Sequence, residues 1–248
     1  MPQPLSRVNP NAQITVSTGS ISNAPKLATH AMRVIACWSA IESNIALLLS
    51  RLLNADTHTG MAMYMALTGG EAKKSALLAA ARKAAPEWQY ILLQAVIKAT
   101  KSSRDSRNDF AHGIWGSSKD LPDCLLLMKP GVVVDHAMMD EKTSLVVINK
   151  HKLRKYDRSR IFVYNESDFK NSCNEASDAE IAYGLLFMTM GETNEQARRQ
   201  LLHLPRVAQA IQRLSQESSP EVQEQLRPPL DGEAPAKGIH PDTWDIAR

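Results

Sequence analysis

One long amphipathic stretch limits the fold more than any other feature. Residues 26–54, KLATHAMRVIACWSAIESNIALLLSRLLN, carry apolar side chains at positions 31, 34, 35, 38, 41, 45, 48, 49 and 52. That spacing puts an apolar stripe along one helix face. A helix of this length gains its stability by packing the stripe against neighbours, so more helices are needed nearby. They follow at once. THTGMAMYMALTGG reads as a short apolar helix ended by paired glycines, and GEAKKSALLAAARKA is a strong helix former by propensity. PEWQYILLQAVIKATKSSRDSRNDFAHG starts with a proline suited to a first helical turn and stops at Gly113, a suitable C′ residue. Four helices within a hundred residues, joined by short connections, imply an antiparallel helical bundle.

The texture then changes. DCLLLMKPGVVVDHAM, TSLVVINK and RIFVYN are short apolar or β-branched runs separated by turn residues, the pattern of a small antiparallel β-ribbon or sheet. Two further helices are expected, SDFKNSCNEASDAEIAYGLLFMTMG with Ser167 or Asp168 as its cap, and ETNEQARRQLLHLPRVAQAIQRLSQES, broken near Pro205. The fold class is therefore mainly α, a bundle with a β insertion at about 122–165 and further C-terminal helices. Residues 1–24 read as a mobile arm, 25–217 as one domain, and 218–248 as a disordered tail with a docking segment around Trp244.

At 248 residues one domain can bury a sizeable core. The net charge of +3 permits a nucleic-acid partner without demanding one. No uninterrupted apolar run approaches the roughly 20 residues of a membrane span. The first residues lack a signal peptide's apolar core. Cys37, Cys124 and Cys173 form neither a disulfide framework nor a zinc pattern, so a reduced cytoplasm is the expected compartment. His30, His58, His136 and His151 show no metal-ligand spacing, and no metal or other cofactor is expected.

The stretch that reads least like packing is RNDFAHG, Arg107 to Gly113. At about 100° per residue, Asn108 and His112 fall on one helix face, where the amide could hold the imidazole's orientation. Arg107 and His112 are about 140° apart around the axis and roughly 7.5 Å apart along it. They converge if the helix ends at His112, or if two copies meet across a symmetric interface. An arginine that binds phosphate oxygens and a histidine that moves protons suit phosphodiester chemistry on RNA, with the 2′-hydroxyl as nucleophile.

Spacing alone is weak evidence. RRQLLH repeats it with Arg198 and His203, and 15 arginines and 7 histidines give roughly 0.4 such pairs at any one spacing by chance. An Asn directly after the Arg lowers the chance count to about 0.02. With that residue included, RNDFAHG resembles the Arg-polar-(x)n-His signature of the HEPN superfamily, helical-bundle proteins of bacterial toxin–antitoxin, abortive-infection and CRISPR-associated systems. ACWSAIESNIALLLSRLL, with Trp38 and Glu42, is similar to the first helix of several HEPN-like proteins; the resemblance covers roughly residues 25–115. It implies a metal-independent endoribonuclease, acting as a toxin or phage-defence effector, with one site formed by two protomers of a homodimer. It also implies RNA as substrate and an antitoxin protein as a candidate partner. Arg107 would contact the scissile phosphate, Asn108 would orient the histidine, and His112 would be the acid/base. The same superfamily holds non-catalytic members that bind nucleotides or proteins.

Each residue also has a plainer role. His112 could be a cationic cap at a helix C-terminus, and Arg107 an ion-pair partner of Asp105 or Asp109. Arg104 is a second candidate phosphate contact or an exposed charge. Glu42, beside the apolar stripe, is a boundary residue or a buried partner for an Arg or His. Trp38 is core, and Met61, Met63 and Met65 suggest helix packing. Lys150, Lys152, Arg154, Lys155, Arg158 and Arg160, around Tyr156, form either an RNA-backbone contact or a solvated loop.

Overall fold

A computed structural model describes residues 1–131, 157–190, 194–216 and 218–228. Among the described residues the protein is mainly helical with one small antiparallel sheet. The chain divides into two compact units: Met1–Ala36 with Ser103–Glu175, and Cys37–Ser102 with Ala176–Arg248.

The first unit is built around the sheet, with strand order β1-β5-β4-β3-β2 and every pairing antiparallel. Its strands are β1 (Gln3–Pro4), β2 (Thr15–Val16), β3 (Ile114–Ser117), β4 (Leu125–Met128) and β5 (Ile161–Tyr164). The central strand β4, LLLM, is buried throughout, as a strand covered on both faces must be. Alternation sorts its neighbours. Leu126, Met128, Ile161 and Val163 pack with Leu5 and Ala12 in one apolar cluster. Leu127 and Phe162, an opposed pair in the register, fall on the other face together with Tyr164.

The residues read as a mobile arm, 1–24, belong to this sheet. They supply both edge strands and two one-turn helices, α1 (Leu5–Val8) and α2 (Gly19–Ser22). Leu5 is fully buried, which stabilises the arm's attachment by about 1.5–3 kcal/mol. Arg158 adds a hydrogen bond from its Nη1 to the Ala12 carbonyl at 2.8 Å. The arm's polar composition hid two well-placed apolar residues, and the sheet extends well beyond the expected 122–165 insertion.

The helices follow the sequence closely. Helix α3 spans Pro25–Leu52. It ends through Asn54, the left-handed residue at φ 50°, with the Ala55 amide donating to the Ser50 carbonyl. By length and composition alone α3 could cross a membrane, with mean hydropathy 1.4 in its most apolar window. The core helix of a globular protein satisfies the same test. Helices α4 (Thr57–Ala66) and α5 (Gly70–Ala84) come next. Asp56 caps α4 by accepting from the Thr59 amide. The stretch read as one helix up to Gly113 is two, α6 (Glu87–Ala99) and α7 (Lys101–His112). They part at Thr100, whose hydroxyl bonds back to the Val96 carbonyl at 2.8 Å.

Helix α8 (Glu166–Thr189) starts with a reciprocal box: Asn165 Oδ1 accepts from the Asp168 amide, and Asp168 Oδ2 accepts from the Asn165 amide. The cap is thus Asn165, with Asp168 as its return partner. Helices α9 (Glu195–His203) and α10 (Pro205–Leu214) break at Pro205, as its missing N–H requires. The region read as a disordered tail begins with another helix, α11 (Pro220–Gln225), which buries Val222, with Leu226 buried just beyond it.

In the second unit α6 packs against α5 and α10. Trp38 is core, 6.3 Å from the Tyr183 ring. Gly60 lets α4 approach α3 closely, since a Cβ there would overlap Ser50. Met63 and Met65 are exposed, not packed. Helix α4 buries only Gly60 and Tyr64, and its own apolar character had suggested more.

Candidate functional site

Helix α7 is held in the first unit from one side chain. Phe110 is buried among Trp115, Tyr164 and Phe169, with ring centroids 5.3–5.9 Å away. Such a cluster fixes the helix rotation, because offset aromatic pairs tolerate few alternative geometries. With Phe110 inward, Asn108 and His112 face solvent and Arg107 is half-buried.

The helix stops at Gly113, whose amide donates to the Asp109 carbonyl at 2.7 Å. Its φ is not positive, so the glycine is not there for a left-handed turn. It is there for space: a Cβ would lie 2.3 Å from the Asp109 carbonyl oxygen and 2.4 Å from Leu127 Cδ1. The helix end therefore sits low on the sheet. A cleft of about 210 Å³ opens beside it, lined by Leu127, Phe162 and Tyr164 and by Asn108, His112 and Lys129. Asp109 also lines it and pairs with Lys129 at 3.4 Å. Burial first, and then the negative charges of Asp109 and Asp168, push the Tyr164 phenol far above its usual range. It stays neutral at any physiological pH.

The structure thus brings Asn108 and His112 to one cleft, as their spacing predicts, but does not join them. Asn108 Oδ1 accepts from Arg107 Nη1 at 3.1 Å, and no hydrogen bond runs from Asn108 to His112. Arg107 does not line the cleft. Arg104 lies near Asp105, 3.8 Å from Nε to Oδ1. Glu42 belongs to the other unit, where its carboxylate is 3.7 Å from Lys73 Nζ and partly exposed, a boundary residue. Lys150, Lys152, Arg154, Lys155 and Trp244 lie outside the described residues. Arg158 is engaged with the N-terminal segment.

Sequence reasoning missed Lys129 and Tyr164. Both come from strands or strand ends remote from RNDFAHG, and no local spacing marks them. Among the described residues, no group of three His, Cys, Asp or Glu side chains converges. Cys173 lies 3.8 Å from His30 Nδ1, but its thiol donates to the His30 carbonyl and burial pushes its pKa up. That is the opposite of what a nucleophilic cysteine needs.

Comparison with known proteins returns no match to any protein family, curated protein or solved structure.

Proposed function

We propose that the chain is a HEPN-like endoribonuclease that cleaves RNA by transesterification to the 2′-hydroxyl without a metal. One observation carries the reading. The last turns of α7 present an exposed imidazole and an exposed carboxamide at one cleft, with the Arg107 guanidinium hydrogen-bonded to that carboxamide but outside the cleft lining. His112 is the acid/base, moving a proton from the 2′-hydroxyl or to the leaving 5′-oxygen. Arg107 stabilises charge on the phosphate. Asn108 positions the guanidinium, to which it is bonded, where the sequence had suggested it would position the histidine. Arg107 and His112 serve one phosphate when two copies of the chain meet along α7, so the active form is a homodimer. A toxin or phage-defence role, with an antitoxin as partner, follows from the resemblance.

The test is cleavage of a mixed-sequence RNA by purified protein, with and without chelator, beside His112→Ala and Arg107→Ala. Cleavage that survives chelation and disappears in both variants supports the reading. Undiminished cleavage by both variants sinks the site. A second reading is a non-catalytic nucleic-acid- or protein-binding module. It is favoured by the engagement of Asn108 with Arg107, so that among the described residues no hydrogen bond orients His112 as an acid/base usually is oriented. RNA binding without cleavage is its signature.

A further inference from the structure

The cleft beside His112 has an ordered polar edge that phosphodiester cleavage alone does not need. Asp109 and Lys129 stand side by side there, carboxylate Oδ1 3.4 Å from ammonium Nζ. Both side chains keep solvent access, 32% for Asp109 and 64% for Lys129. Phe162, Tyr164 and Leu127 line the same cleft. The volume of about 210 Å³ is under the roughly 300 Å³ at which pockets for drug-sized ligands begin. It suits one planar ring system.

We propose that this cleft is a subsite for a single unpaired guanine base, a specificity that rests on the reading of the chain as an RNA-cleaving protein. Unpaired bases in RNA are recognised by stacking on aromatic side chains and by hydrogen bonds to their edges. The guanine edge presents, in order, the O6 acceptor, the N1–H donor and the N2–H₂ donor. A carboxylate accepts from N1–H and N2–H together, as a bidentate pair. An adjacent ammonium donates to O6. The Lys129–Asp109 pair offers this order, donor beside double acceptor. No other base matches it. Adenine and cytosine turn a ring-nitrogen acceptor toward the carboxylate, and uracil has a single N–H between two carbonyls. The half-buried Phe162 ring supplies the apolar surface a base stacks on, backed by Leu127 and the buried Tyr164. Gly113 keeps the helix end low enough for the base to lie beside His112, so scission falls next to a guanosine.

The experiment is calorimetric titration of the full chain with guanosine, adenosine, cytidine and uridine 3′-monophosphates. It is repeated with Asp109→Asn and Lys129→Gln after a far-UV dichroism check of the fold. Guanosine 3′-monophosphate is expected to bind about tenfold tighter than the other three, the scale of one bidentate base contact. Asp109→Asn should erase the preference while leaving the weaker nucleotides unchanged, and Lys129→Gln should reduce it. Equal binding of all four, no binding of any, or a preference indifferent to Asp109→Asn overturns the proposal. The two readings separate cleanly. Selective guanosine binding without RNA cleavage removes the nuclease and keeps the subsite. His112-dependent cleavage with no guanosine preference removes the subsite and keeps the nuclease.

Discussion

The chain contains one motif twice, and the two copies have different surroundings. RNDFAH ends α7 and RRQLLH ends α9, each with an arginine five residues before a histidine at the helix C-terminus. In α9 the arginine is committed to structure. Arg198 Nη1 lies 3.0 Å from Glu195 Oε2, and its guanidinium sits 5.3 Å from the Trp88 ring centre. Leu201 and Leu202, between the arginine and the histidine, are buried. In α7 the intervening residues are Asn, Asp, Phe and Ala, and only Phe110 is buried. Asn108, Asp109 and His112 surround a cleft. Equal spacing along a helix thus yields packing in one place and an open polar surface in the other. What differs is which side chain between the pair faces inward.

Substitutions can break that contrast. The largest expected effect is on activity: His112→Ala should lower RNA cleavage by about 10²–10⁴-fold, the usual contribution of a general acid/base. His203→Ala should leave it unchanged. Equal losses in both variants, read from single-turnover cleavage, would abolish the distinction. Next is the anchor of α7. Phe110→Ala should cost about 3–5 kcal/mol in denaturant unfolding. Leu5→Ala, which frees the N-terminal segment from the sheet, should cost about 2–5 kcal/mol. If it costs nothing, residues 1–24 behave as the free arm that their composition suggests.

Gly113→Ala is expected to cost about 1–3 kcal/mol by overpacking against Leu127, and to lift the α7 end from the sheet. Nitrogen-15 spectra of the variant should therefore show shifts at the cleft. Arg198→Ala should lose only about 0.5–1 kcal/mol through its contact with Trp88, with cleavage intact. The smallest effect is at the start of α8. Bonds from Lys170 first, and then Lys26, hold Glu166 down to about 2 from 4.5. A carboxyl depressed in the folded state stabilises above its unfolded pKa and loses that contribution as pH falls through the folded one. Glu166 therefore contributes fully at neutral pH and fades between about 4.5 and about 2. Glu166→Gln should flatten the acid side of a stability-versus-pH curve over that window.

Helical periodicity made α3 to α5 and α8 to α10 legible, with boundaries close to the expected ones, whereas the single helix expected up to Gly113 is two, α6 and α7. The failures have a common origin. A mobile arm was expected at 1–24 because its composition is polar, yet Leu5 and Ala12 find an apolar partner face formed by Leu126, Met128, Ile161 and Val163, more than a hundred residues away. Met63 and Met65 have the composition of core and are exposed, because the buried positions of helix α4 are Gly60 and Tyr64. At the site, the sequence identified Asn108 and His112 as neighbours on one face. Its periodicity carried no sign that Asn108 would bond to Arg107 instead.

Local pattern alone was enough for helices α3 to α5 and α8 to α10, the break at Pro205, the strands β4 and β5, and the shared face of Asn108 and His112. Each depends on a local repeat or a local steric rule. Packing between distant segments was needed for the N-terminal residues to close both edges of the sheet, for Gly113 to serve close approach, and for Lys129, Asp109 and Tyr164 to meet beside His112. Those meetings come from strand pairing and aromatic packing between segments distant in the chain, and a one-dimensional pattern carries no record of which distant segment will lie opposite.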